Sequence, residues 1–95
     1  MAHEGYHEPV DKLTPQTMDF HRAVISLIEE LEAIDWYNQR VDACTEPDLK
    51  AILAHNRDEE KEHAAMVLEW IRRHDAELSK DLKEFMFSNK PIAHG

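Results

Sequence analysis

The chain is poor in the residues that staple or break a fold. Cys44 is its only cysteine, so no intrachain disulfide forms and a cysteine-based zinc cluster is excluded. Two glycines and four prolines leave few breaking points, and between Pro15 and Pro91 only Pro47 interrupts the chain. Aromatic residues make up 7%, too few to favour strands, which prefer aromatic and β-branched side chains. Basic residues are outnumbered 11 to 20, giving a formal net charge of -9. Such a balance argues against nucleic acid or an anionic membrane surface as partner, because both are gripped by clustered Lys and Arg. No apolar run approaches the roughly 20 residues of a membrane span. The first residues, Met1 to His7, have neither the basic nor the apolar part of a signal peptide. These absences lead us to expect a soluble protein of a reducing compartment, without nucleic acid or membrane partners.

What is present favours helix. Hydrophobic residues make up 42% and charged residues 33%, with alanine, leucine, glutamate and lysine plentiful. Residues 1–13, with His3, His7 and Pro9, show no helical face and read as a flexible arm. Thr14-Pro15 is a helix start, a hydroxyl cap followed by a proline where an amide would be orphaned. Beyond it Phe20, Val24, Leu27, Leu31, Ile34 and Val41 recur on four- and three-residue steps, with Asn38 in the one vacancy. The pattern breaks at Ala43-Cys44, which sets helix 1 at 14–43. Thr45-Glu46-Pro47-Asp48 reads as a new start with Thr45 as cap. Leu49, Leu53, Asn56, Glu60, His63, Val67, Trp70 and His74 form the seam of helix 2, at 46–74. Met66 and Trp70 read as core. Asp75 caps a short helix 3 at 76–87, and residues 88–95 form a tail that includes His94. Cys44 reads as a small loop-end residue.

The expected architecture is therefore all-α: an antiparallel two-helix hairpin plus a short C-terminal helix, one domain over residues 1–95. One hairpin does not cover both faces of such seams, and leaving them wet exposes more apolar surface than a monomer usually carries. Two copies forming a ferritin-like four-helix bundle by two-fold symmetry is the simplest remedy.

Glu60 and His63 interrupt the apolar seam of helix 2. Their i, i+3 spacing puts both side chains on one face, and burying an unpaired carboxylate costs several kcal/mol unless something compensates. In a hairpin with its turn near residue 45, residue 30 faces residue 60. Glu30, Glu60 and His63 then gather at one level, roughly 22 Å from the turn at 1.5 Å per residue. Tyr37 lies two turns closer to the turn on the same face of helix 1. In di-iron bundles two helices each give a Glu and two give Glu-x-x-His. Glu30 with Glu60-Lys61-Glu62-His63 is half of that set, and a two-fold dimer supplies the rest. Oxygen and nitrogen donors suit iron or manganese and also accept zinc. The competing reading is a polar layer that only fixes dimer register, or a structural divalent-metal site in a non-catalytic helical oligomer.

The sequence also resembles a specific family, the encapsulated ferritins. Glu29-Glu30-Leu31-Glu32-Ala33-Ile34-Asp35-Trp36-Tyr37, followed by Gln39-Arg40-Val41-Asp42, is similar to that family's first helix. The stretch Ile52 to Met66, with Asn56-Arg57-Asp58-Glu59-Glu60-Lys61-Glu62-His63 at its centre, is similar to its second. The resemblance implies a ferroxidase whose ligands are Glu30, Glu60 and His63, with Tyr37 beside two irons per dimer. It implies a ring of five dimers, a decamer, carried as cargo by an encapsulin shell protein, hence an encapsulin nanocompartment within the cytoplasm. It implies further metal positions at Glu29 and Glu32 with Trp36, an uptake route, and at His55, Glu59 and Glu62, a secondary site for calcium or zinc. The residues alone read these two groups as solvated acidic faces. Family members carry a C-terminal encapsulin-targeting peptide, which Pro91-Ile92-Ala93-His94-Gly95 does not match. A rubrerythrin-like peroxide reductase is the remaining enzymatic alternative.

Overall fold

Proline and capping residues set the boundaries of the helices. In a computed structural model, which describes residues 5–93, α1 runs Pro15–Ala43, α2 Pro47–Arg73 and α3 Ala76–Phe85. Among the described residues there is no strand, so the architecture is all-α. Thr14 caps α1 by accepting the Thr17 N–H at 3.1 Å, and Asp75 caps α3 by accepting that of Leu78 at 2.9 Å. The cap of α2 differs from expectation. Glu46, not Thr45, occupies it, and its carboxylate accepts the Leu49 N–H at 2.6 Å. The reason is the proline: Pro47 suits the first helical position, which makes its predecessor the cap.

The three residues between Ala43 and Pro47 fold α2 back antiparallel along α1. At the other end of α2, Arg72 and Arg73 both donate to the Glu69 carboxylate at 2.7 Å, and Arg72 reaches on to the Ser79 hydroxyl of α3 at 3.0 Å. α3 ends two residues before the expected bound of 87. The Met86 backbone is extended and Phe87 sits at φ 58, outside right-handed helix. Ahead of α1, Val10–Lys12 make a single 3-10 turn and the Tyr6 ring lies 4.9 Å from that of His21. His3 and His94 fall outside the described residues. No described helix is long and apolar enough to cross a membrane.

The hairpin leaves most of its apolar surface wet. Only Ala64, 8% exposed, and Ile71, 3% exposed, are buried side chains among the described residues. Its radius of gyration is 17.0 Å, whereas a compact domain of this length has about 12–13 Å. Met66 and Trp70, expected in the core, are exposed, Met66 at 58%. They border an open groove between α2 and α1, beside Arg22 and Ser26, and stay exposed to solvent. Leu31, a seam residue, is 52% exposed.

Two measurements check the α2–α3 junction. Removing the α3 cap with Asp75→Ala costs about 1 kcal/mol and is expected to speed hydrogen exchange at the Leu78 amide. The two arginines hold Glu69 well below the ordinary carboxylate value of 4.5, down to about 2. A group with a lowered native pKa stabilises above its unfolded value and loses that contribution as pH falls. Exchange protection around Ser79 is therefore expected to decline between pH 4.5 and 2, and an unchanged profile would contradict the bridge.

Candidate metal centre

Three side chains converge at mid-hairpin. Glu30 comes from α1; Glu60 and His63 come from α2, one turn apart on the face turned to α1. One ligand atom from each lies within 4.8 Å of the other two. His63 Nδ1 is 3.5 Å from Glu30 Oε2 and 3.7 Å from Glu60 Oε1. These separations are long for hydrogen bonds. They match donors sharing one cation: ligands at about 2.0–2.2 Å from an ion stand roughly 3–4 Å from each other.

The electrostatics point the same way. Glu30 Oε2 is sealed from solvent and accepts no hydrogen bond. An orphaned carboxylate oxygen is destabilising unless a proton or cation compensates. The adjoining Glu60 carboxyl pushes the Glu30 pKa above its ordinary value, burial adds to the rise, and His63 partly offsets it. Two carboxylates and an imidazole suit a hard or borderline divalent ion, and a bound cation would favour the ionised form of Glu30 that apposition to Glu60 disfavours.

The other residues picked out in the sequence are less gathered within one chain. The Tyr37 hydroxyl makes no hydrogen bond to the trio; its ring lies under the Arg40 guanidinium, 5.1 Å from the centroid. Glu29 and Trp36 are exposed on α1 and Glu32 is half-buried. His55 Nε2 stands 3.6 Å from Glu59 Oε1 on the open side of α2, and Glu62 does not join them. Among the described residues, Glu30, Glu60 and His63 form the one cluster of three potential ligands. One pairing went unnoticed in the sequence. Arg57 of α2 donates to Asn38 of α1 at 3.0 Å; the register that pairs Glu30 with Glu60 sets residue 52 opposite Asn38, so the contact depends on the reach of the long arginine side chain, which the register does not reveal.

Comparison with known proteins decides the family. Residues 5–89 match the family described as EncFtn-like. The chain belongs to this family. An encapsulated ferritin-like protein of Rhodospirillum rubrum is 60% identical over 86 residues, covering 90% of this chain and 61% of that protein. The chain thus spans about three fifths of that relative's length. An encapsulin nanocompartment cargo protein of Myxococcus xanthus is 37% identical, over 85% of this chain and 73% of its own. A crystal structure of a Nitrosomonas europaea protein superposes with TM-score 0.91 at 67% identity, covering 96% of this chain and all of that one. Within an EncFtn-like chain the Glu30, Glu60 and His63 cluster is thus a candidate metal site in a family whose named members are ferritin-like.

The raised Glu30 pKa predicts the sign of a pH effect in metal-free protein. The folded state holds the Glu30 proton longer than the unfolded state does, so this group favours folding below pH 4.5. Its contribution falls as pH rises through the native pKa. Glu30→Gln keeps the shape without the charge. It is expected to raise the melting temperature of metal-free protein at pH 7 and to weaken zinc binding by at least about tenfold (a change of roughly 1.4 kcal/mol). A variant less stable than wild type when metal-free would contradict the assignment of strain to this carboxylate.

Proposed function

We propose that the chain is a ferroxidase: it binds Fe(II) as substrate at Glu30, Glu60 and His63 and passes its electrons to dioxygen. The observation that carries this reading is the sealed, unpartnered Glu30 oxygen set against a second carboxylate and an imidazole, in an encapsulated-ferritin-like chain. One hairpin supplies three ligands, too few to enclose two ions. A second copy, related by two-fold symmetry, doubles the set to four carboxylates and two imidazoles, and two Fe(II) per dimer are then the substrate load. The wet apolar surface around Leu31, Ile52 and Met66 is what such a partner would cover.

The roles of the residues follow from their chemistry. Glu30 and Glu60 bind as carboxylates, so loading displaces whatever proton they share. His63 contributes a neutral imidazole nitrogen, and Nδ1 is the atom facing both carboxylates. Each bound Fe(II) gives up one electron to dioxygen and leaves as Fe(III), which hydrolyses to oxo-hydroxide. Tyr37 is assigned a supporting place beside the irons, and Glu29, Glu32 and Trp36 an uptake route. His55, Glu59 and Glu62 are assigned a secondary calcium or zinc site.

An open helical assembly has no closed cavity for mineral. On the strength of the names borne by its relatives, we assign the chain to the interior of an encapsulin shell; the ring of five dimers within the cytoplasm is what the family resemblance implies. The shell would hold the ferric product.

Anaerobic Fe(II) loading followed by air tests the reaction. A near-ultraviolet ferric band is expected to appear faster than in buffer, and Glu60→Ala is expected to slow it by at least about a hundredfold (roughly 2.7 kcal/mol in barrier). Equal rates for Glu60→Ala and wild type would sink the reading. Binding of zinc with tightened association but no oxygen consumption with iron would favour a structural metal site instead.

A further inference from the structure

The apolar seam that joins α1 to α2 is a poor ruler. Phe20, Val24, Leu27 and Ile34 present similar side chains at near-equal steps, so small axial shifts keep most of their packing. The three-residue turn forbids a slip of a whole helical turn. It does not forbid a shift of one residue's rise, about 1.5 Å. Metal ligands tolerate far less, about 0.5 Å from productive geometry. Something beyond apolar contact must set the axial position of Glu30 against Glu60 and His63.

The structure assigns that task to the Asn38–Arg57 pair. We propose that Asn38 and Arg57 are positioning residues for the metal centre, holding α1 and α2 in the register at which Glu30 meets Glu60 and His63. Asn38 interrupts the apolar steps of α1 in the sequence, and on the single hairpin its side chain is exposed. Its Oδ1 accepts from Arg57 Nη1 at 3.0 Å, a side-chain hydrogen bond that joins the two long helices with Arg57 one turn before Glu60 on α2. Arg57 is itself fixed. Its Nε donates to Asp58 Oδ1 at 3.1 Å, and Asp58 also pairs with Lys61 at 3.2 Å. The guanidinium side chain is only 22% exposed, against 60% for Asp58, so it lies along the hairpin rather than in solvent. Asn38 stands eight residues from Glu30, about 12 Å along α1; it acts on the ligands through Arg57, one turn before Glu60 on α2.

This inference rests on the metal-site reading, and its test separates the two. Co(II) binding to the full chain, without iron, is followed through its visible bands in wild type, Glu60→Ala, Asn38→Leu and Asn38→Asp, with helicity and melting temperature measured alongside. Asn38 is exposed, so Asn38→Leu removes the acceptor for Arg57 without disturbing packing and is expected to melt close to the wild-type temperature. Its Co(II) affinity is expected to fall by about tenfold or more, with altered band intensities, as for residues that orient metal ligands. Asn38→Asp keeps an acceptor for Arg57 and is expected to bind within about threefold of wild type. Its added charge lies about 12 Å from Glu30, beyond a Debye length of ~8 Å at physiological salt. Wild-type affinity in Asn38→Leu, equal weakness in Asn38→Asp, or a loss of affinity that only follows lost helicity would each overturn the positioning role. If Glu60→Ala also binds as wild type, the metal site itself is wrong.

Discussion

Everything in this molecule turns on the apposition of Glu30 with Glu60 across the hairpin. Two carboxyl groups at one level of a helix pair repel when both are ionised, and one Glu30 oxygen has lost water without gaining a hydrogen bond. Apolar side chains at those positions would pack the seam more stably. The carboxylates make sense as a binding set whose strain a cation relieves, with His63 completing the donors. Side-chain hydrogen bonds also tie the elements together: Asn38 of α1 to Arg57 of α2, and Glu69–Arg72–Ser79 between α2 and α3.

The weakness of the single-chain core belongs to the same account. With Ala64 and Ile71 as its buried side chains, one hairpin gains little from apolar burial, at about 25 cal/mol per Å², to set against the ordering of its backbone. A second copy would add apolar contact and ligands together. Assembly and metal binding then become linked equilibria, since an ion that binds only the assembled form stabilises it by mass action. The net charge of -9 disfavours bringing acidic chains together, and divalent cations at a shared site would offset part of that repulsion.

Much of the fold was legible in the sequence because its signals are local. Thr14-Pro15 and Asp75 announce helix starts whose caps involve residues only three positions on, and the short connection before Pro47 forces the antiparallel register that brings Glu30 to Glu60. Where two local signals competed, the reading slipped: Thr45 resembles a cap, but the proline two residues later gives that place to Glu46. Periodicity says which residues share a stripe and not which partner covers it. For that reason Met66 and Trp70 read as core and yet lie open on a single hairpin. The same limit applies to His55, Glu59 and Glu62. Their i, i+4, i+7 spacing sets them on one helix face, but it does not supply a second helix to close a site around them.

The central claim is that two copies together hold one pair of metal ions between them. Native mass spectrometry of the chain, titrated anaerobically with Fe(II), measures the number of chains and ions in each species at once. The account predicts metal-bound species with even numbers of chains and two ions for every two chains, gained as free monomer disappears. Saturated monomers carrying their own metal, or assemblies whose chain number and metal content do not change with Fe(II), would contradict it.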